Sequence, residues 1–361
     1  MILQMEPWFG TEEKDALNQY MDEGGWLTEF QKTAEFEKRI AEYTGAKHCI
    51  VVNNGTISLT LMALAAGIKA GDEVIVPNYT MIATPNSIKI FGAIPVFADI
   101  ERETLCLDIE SARKAITSKT KAIFFVNANG RYPKSGIEGF QKLCDEYSII
   151  LLEDAAQSLG SFYPDGKHQG TAGLAGSFSF SAPKVISTGQ GGAIITNDDE
   201  MADRIKKLKD FGRSSGGNDF HSTIGYNFKF TELQAVIGIE QMKKLPWRAE
   251  RKKEILKYYK AQLDHVNEIT FFDQDLNYTT PWFIDVFAEK RDELANYLKE
   301  RGIGIRFMYP PINKQPAYQL PGEYPVSNLV GEKGLWLPSA SQLTDEQILK
   351  ITKIIGDFYT C

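Results

Sequence analysis

The chain has no block of basic residues: its 40 Lys and Arg are interleaved with 47 Asp and Glu, for a formal net charge of −7. Without a basic stripe there is nothing to neutralise a phosphate backbone or an anionic lipid surface, so nucleic acid and membrane are not expected partners. No long apolar run exists either, and the segment LTLMALAAGI (59–68) is far too short to cross a bilayer. The opening MILQMEPWFG lacks the basic region and small-residue cleavage site of a secretory signal, and the expected location is cytoplasmic. Cysteine is scarce: Cys49, Cys106, Cys144 and Cys361 form no CxxC pair, and His48, His168, His221 and His265 stand apart from them. That spacing argues against a metal site and for reduced structural thiols. No GxGxxG follows the first strand, which removes the fingerprint of a nicotinamide-dependent dehydrogenase.

What is present is an ordinary globular composition, 43% apolar and 24% charged over 361 residues, long enough for a large core and a second unit. Short β-branched runs alternate with amphipathic stretches, the pattern of a parallel sheet covered by helices. EVIVP (73–77), IPVFADI (94–100), AIFFVN (122–127) and IILLEDAA (149–156) read as strands buried on both faces. Helices are expected near 56–69, 80–91, 108–116 and 139–147. After Gly192 a further strand and a helix ending at Gly212 follow, and Gly216 with Gly217 marks a mobile loop at 213–223. Residues 231–263 are helical in pattern, with Pro246 as a kink or break. The fold class is therefore α/β, with a large domain at 1–246 and a small C-terminal α/β domain at 247–361.

Four short segments combine the residue types of one chemistry. In NNGT (53–56) a glycine turn precedes an apolar helix, so Gly55 and Thr56 could hold a phosphate on free amides; taken alone, the tetrapeptide is more often just an N-capped turn. In LLEDAAQS (151–158) Asp154 stands at the carboxyl end of a buried strand, where open α/β sheets bind ligands, although a helix cap is the simpler role. In SFSFSAPKVISTGQGG (177–192) Lys184 follows a strand and a Ser-Ala-Pro break; it is a loop lysine or, if desolvated, an amine able to attack an aldehyde. In GYNFKFTELQA (225–235) an aromatic turn enters a helix, with Thr231 as its cap. A lysine, an acid and a phosphate cradle are together what pyridoxal phosphate (PLP) requires.

The order NNGT, EDAAQS, SFSF with its lysine and TGQGG, GYNFKFTELQA and a late GLWLPS resembles the DegT/DnrJ/EryC1/StrS family of PLP-dependent sugar aminotransferases, from about residue 5 to the C-terminus. The resemblance implies the aspartate aminotransferase-like fold and a homodimer with active sites at the subunit interface. By motif, Lys184 would be the Schiff-base lysine and Asp154 the partner of the pyridine nitrogen. Gln157 would lie near the cofactor hydroxyl, and Gly55, Thr56 and Ser179 would hold the phosphate. Asn227 would reach the phosphate of the neighbouring subunit's cofactor. An amino acid, glutamate by family analogy, would donate the amino group to a keto sugar, on the pattern of nucleotide-linked 4-keto-6-deoxy sugars and perosamine synthesis.

Some residues depart from the family pattern. Met81, in TMIAT, stands where an aromatic residue usually stacks on the cofactor ring. NANG puts Asn127 and Asn129 where His and Tyr are common, Gln190 replaces Glu in GQGG, and Lys229 replaces Arg. These segments are expected to line the substrate pocket, which keeps a different small phosphorylated ketone open as substrate. Two other rivals meet the same residues: a sugar 3-dehydratase would carry histidine in place of Lys184, and a non-catalytic regulatory relative would have lost the lysine or the acid. Arg306, in IGIRFMY, is either a surface ion-pair residue or a diphosphate contact.

Overall fold

The computed structural model describes residues 1–214 and 219–360; the Gly216–Gly217 pair of the 213–223 loop and Cys361 lie outside them. Seven strands form the central sheet: β1 (His48–Val52), β2 (Glu73–Pro77), β3 (Ile94–Ala98), β4 (Thr120–Val126), β5 (Ile150–Asp154), β6 (Ala175–Ser179) and β7 (Gly192–Thr196), in the spatial order β1-β7-β6-β5-β4-β2-β3. Pairings from β3 through β6 are parallel, while β7 runs antiparallel to both β6 and β1.

The continuous apolar runs have a direct cause, because successive residues of each strand feed opposite cores. Phe124, Leu152 and Ile194 pack with Leu59 and Met62 on one face. Phe125, Leu151 and Ile195 pack with Phe140 and Leu143 on the other. All three cysteines among the described residues are free and buried, and no helix among those residues is long and apolar enough to cross a membrane.

A second sheet, β8 (Ile269–Phe271), β9 (Ile284–Ala288), β10 (Arg306–Phe307) and β11 (Gly334–Leu337), is antiparallel throughout, in the order β10-β11-β9-β8. β10 covers only two residues of IGIRFMY (303–309), a segment with the apolar pattern of a longer strand. Ile303 pairs instead with Ile2 from the N-terminus, and Pro310 and Pro311 bring no N–H to a ladder.

The helix Glu232–Leu263 runs unbroken through Pro246. An interior proline costs about 3 kcal/mol in a helix. Burial on both sides of it offsets that cost: Met242 and Leu245 belong to the core that contains Phe125, and Ile255, Leu256, Tyr259 and Leu263 to a core shared with β8, β9 and β11. Thr231 caps the helix as expected, its hydroxyl accepting from the Gln234 amide at 3.3 Å. Two helices are shorter than their patterns. Residues 199–209 form one, which ends where Phe211 takes a left-handed φ of 57° ahead of Gly212. The other, Ala83–Lys89, starts three residues late, after a turn that brings the hydroxyls of Thr80 and Thr84 to 3.0 Å.

Candidate active site

The carboxyl ends of β5 and β6 open on a cavity of about 620 Å³. It is lined by Gly55, Thr56, Met81, Asp154, Gln157, Ser179, Lys184 and Gln190, with Trp282, Arg306 and Tyr309 from the C-terminal part of the chain. Seven of the eight residues expected to hold a cofactor are thus brought together. Asn227 is not: it is exposed, outside this cavity, its backbone bridged to Asp210.

The helix Gly55–Ala65 points its N-terminus at the cavity. Asn54 caps it, accepting from the Ile57 amide at 2.9 Å, and the amides of a first helical turn have no partners within the helix. Together with the helix dipole they favour an anion. Glycine is required at position 55 because a Cβ there would meet the Ser179 Cβ at 2.7 Å. Gly192 has a parallel reason, since its Cβ would lie 2.6 Å from the backbone of Asn54. The glycines of TGQGG thus let β7 pass directly against the start of the helix.

Asp154 ends β5 and is 5% exposed. Its Oδ2 accepts from the Thr84 hydroxyl at 2.7 Å and its Oδ1 from the Ala156 amide at 3.2 Å. Burial pushes the carboxyl up, against those two hydrogen bonds and the nearby Lys184 charge. Gln157 is steered by its side-chain carbonyl, which accepts from the Asn129 amide at 2.7 Å.

Lys184 leaves a tight turn, its amide bonded to the Ser181 carbonyl at 3.0 Å, so the Ser-Ala-Pro break does reverse the chain at this point. The half-buried side chain reaches the cavity, and its amine sits 4.1 Å from the centre of the Trp282 ring. Burial lowers the amine from its ordinary 10.5 to about 8, with the Asp154 carboxylate pulling the other way. An amine so depressed is partly neutral near physiological pH, the state that attacks a carbonyl.

The expectation that NANG lines the pocket is corrected. Neither Asn127 nor Asn129 borders the cavity, and both are buried. Asn127 donates to the Tyr163 hydroxyl, and Asn129 grips the backbone of Phe283, donating to its carbonyl at 2.9 Å and accepting from its amide at 2.6 Å. Met81 and Gln190 do border the cavity. Arg306 forms no salt bridge among the described residues; its guanidinium lies 5.4 Å from the Trp336 ring and 5.7 Å from the Tyr309 ring. Thr84, Trp282 and Tyr309 were not marked by sequence. Thr84 lies inside the quoted TMIAT and Tyr309 closes IGIRFMY, where Arg306 carries the polar signal, while Trp282 falls in TPWFIDVFA (280–288), a strand-like apolar pattern.

The arrangement suits a small molecule with a phosphate at one end, a cationic ring nitrogen and a carbonyl within reach of an amine. The chain is 33% identical over all of both sequences to "GDP-perosamine synthase" of Vibrio cholerae. It is 34% identical to the protein of that name from Escherichia coli O157:H7, with 98% of each chain covered. Among solved structures, the aminotransferase TlmJ of Streptoalloteichus hindustanus superposes with a TM-score of 0.93 over 100% of both chains at 29% identity. A GDP-4-keto-6-deoxymannose-3-dehydratase "with a trapped PLP-glutamate geminal diamine" superposes at 0.89, covering 98% of this chain and 100% of that one at 25% identity. The family model of the DegT/DnrJ/EryC1/StrS aminotransferases matches residues 8–356, and the chain belongs to that family.

Proposed function

We propose that this chain is a PLP-dependent aminotransferase that moves an amino group from an amino acid, glutamate first among candidates, to a nucleotide-linked 4-keto-6-deoxy sugar. The single observation that carries the reading is the convergence of Lys184 and Asp154 in one cavity, opposite the Gly55 helix terminus. The donor set fits PLP. The approach of Gly55 to Ser179 leaves first-turn amides facing the cavity for a phosphate, and Asp154 offers a buried carboxylate to a ring N–H. Once bound, PLP supplies a carbonyl that exchanges amines and a ring that accepts electron density from the donor's Cα.

The chain's own residues do the rest. Lys184 would hold the cofactor carbonyl between reactions, and as a free neutral amine it would take a proton from one carbon and return it to another. Asp154 would keep the ring nitrogen protonated by pairing with its N–H. Ser179, Thr56 and the Gly55 amide would orient the phosphate, and Gln157 would meet the ring hydroxyl. Met81 would cover the ring where an aromatic residue usually stacks. Lys184 also separates this reading from a sugar 3-dehydratase, which by the family resemblance would carry histidine there.

A second copy completing the site belongs to the same proposal, with Asn227 reaching the neighbour's phosphate. It is supported by the exposure of Asn227 outside its own cavity and by exposed Trp26, Leu27, Phe30, Ile224 and Tyr226. The segment carrying Leu27 and Glu29 is hydrogen-bonded to residues 230–232, next to Asn227 in the chain. A division near Pro246 is supported by the change of core partners along the long helix.

The test is a panel of GDP-, UDP- and dTDP-linked 4-keto-6-deoxy sugars supplied with glutamate, following 2-oxoglutarate. The reading predicts turnover with one nucleotide series. Turnover only with small phosphorylated ketones would reassign the substrate.

A further inference from the structure

Trp282 belongs to no recognised motif, yet the Lys184 amine lies over its ring, 4.1 Å from the centroid. We propose that Trp282 is a positioning residue for Lys184: its indole face is the resting place of the amine whenever that amine is not bonded to cofactor, and Asn129 holds the indole there. The inference rests on the PLP reading above.

The geometry fixes the ring from several sides. The Lys184 amine lies 4.1 Å from the ring centroid, well within the ~6 Å reach of a cation–π contact. The indole N–H donates to the Pro183 carbonyl at 2.7 Å, so the ring is tied to the peptide unit that immediately precedes the lysine. Phe283 stacks on the indole with centroids 3.8 Å apart and planes 20° from parallel, and Trp336 meets it edge-on at 6.0 Å. On the main chain of the same residue, the Lys252 amine donates to the Trp282 carbonyl at 2.7 Å. Trp282 is 3% exposed, so it has little room to leave.

This network also accounts for the NANG departure. The Asn129 side chain holds both backbone polar groups of Phe283, the residue stacked on Trp282. To do so it adopts a left-handed φ of 54°, and Gly130 follows at 79° in a place where a Cβ would strike the Thr280 carbonyl at 2.4 Å. The turn is therefore built against the strand entry that delivers Trp282. A His-x-Tyr-Gly turn would not supply the same two-point amide grip.

The amine needs such a holder. Among the described residues it makes no hydrogen bond and no salt bridge; its electrostatic partners are the ring and the Asp154 carboxylate. Arg306 and Tyr309 face the same cavity, and the Lys252 amine is bonded to the Trp282 carbonyl. Burial drives the amine toward neutrality, while the ring face favours the ammonium. A freed lysine that must give and take one proton is thereby kept in one place and near the balance point between its two states.

The test uses the full-length chain with Trp282→Leu, Trp282→Phe and Asn129→Ala. Three quantities are measured: PLP Kd by titration of cofactor-free protein, the pH midpoint of PLP capture, and the single-turnover rate with glutamate. Trp282→Leu is expected to slow the single turnover about tenfold and to move the capture midpoint below wild type, with PLP Kd changed by less than about threefold. Trp282→Phe keeps a ring and falls between, and Asn129→Ala gives a smaller loss of the same kind. A folded Trp282→Leu protein whose midpoint and single-turnover rate match wild type overturns the positioning role. So does a rate loss fully matched by weaker PLP binding. A wild-type chain that takes up no PLP overturns the cofactor reading, and this proposal with it.

Discussion

Glu153 and Asp154 are neighbours on β5, both buried, both carboxyls pushed up by desolvation, and they face opposite sides of the sheet. Glu153 is filled. It accepts from the Tyr163 hydroxyl at 2.5 Å and from the amides of Gly170, Ala172 and Gly173 at 2.9, 2.6 and 2.9 Å, which ties the 170–173 loop to the sheet. Asp154 has two protein donors and borders the cavity. A carboxylate whose lone pairs are taken is scaffold, whereas one left with acceptor capacity beside an open cavity can receive a ligand's N–H. Two lysines repeat the contrast around Trp282. Lys252 is buried against the carbonyls of Trp282 and Ser339, whereas the Lys184 amine makes no hydrogen bond among the described residues and lies between the ring face and the cavity, within reach of the Asp154 charge.

The comparison breaks at different strengths. Lys184→Ala has the largest expected effect, a loss of transamination on the order of 10⁴-fold or more with the melting temperature nearly unchanged, because the side chain is the proton carrier and not a packing element. Asp154→Asn and Glu153→Gln should then separate cleanly. The first lowers turnover on the order of 10² to 10³-fold at near-normal stability. The second turns an amide N–H₂ toward backbone donors and costs about 3 kcal/mol in urea unfolding while the folded fraction still binds PLP. If both variants lost stability equally, the distinction between scaffold and site would fail.

The pH response follows from the lysine. Lys184 has a folded value of about 8 against 10.5 when unfolded, so between those values the unfolded chain binds more protons. Stability of the cofactor-free chain from this group therefore rises with pH across that window. PLP capture, which needs the neutral amine, falls as pH drops below about 8. Stopped-flow absorbance between pH 6 and 10 checks the midpoint, using roughly two units either side of that value. The smallest effect is expected for Thr84→Val, which removes a donor from Asp154: about a fivefold loss of turnover, restored by Thr84→Ser, with an acid limb displaced upward because the carboxyl is easier to protonate.

Much of this was legible in sequence wherever a residue's meaning lay in its place along a strand. EDAAQS put Asp154 at a strand end, and SFSF with its break put Lys184 in a turn beside it, since a βαβ series brings strand ends to one edge. What escaped was anything set by partners distant in the chain. Asn129 and Phe283 meet across 154 residues, and nothing in NANG announces a backbone grip. Trp282 lies within an apolar strand pattern in which core and site residues look alike. The unbroken helix across Pro246 escaped for the same reason, because tertiary burial outweighed a local breaker.

The most direct test of the central claim is borohydride reduction of the PLP-loaded protein followed by peptide mass mapping. The account predicts a yellow protein whose colour is fixed by reduction, with the cofactor's mass on the peptide containing Lys184 and on no other. A protein that stays colourless with added PLP, or a label on a different lysine, would contradict it.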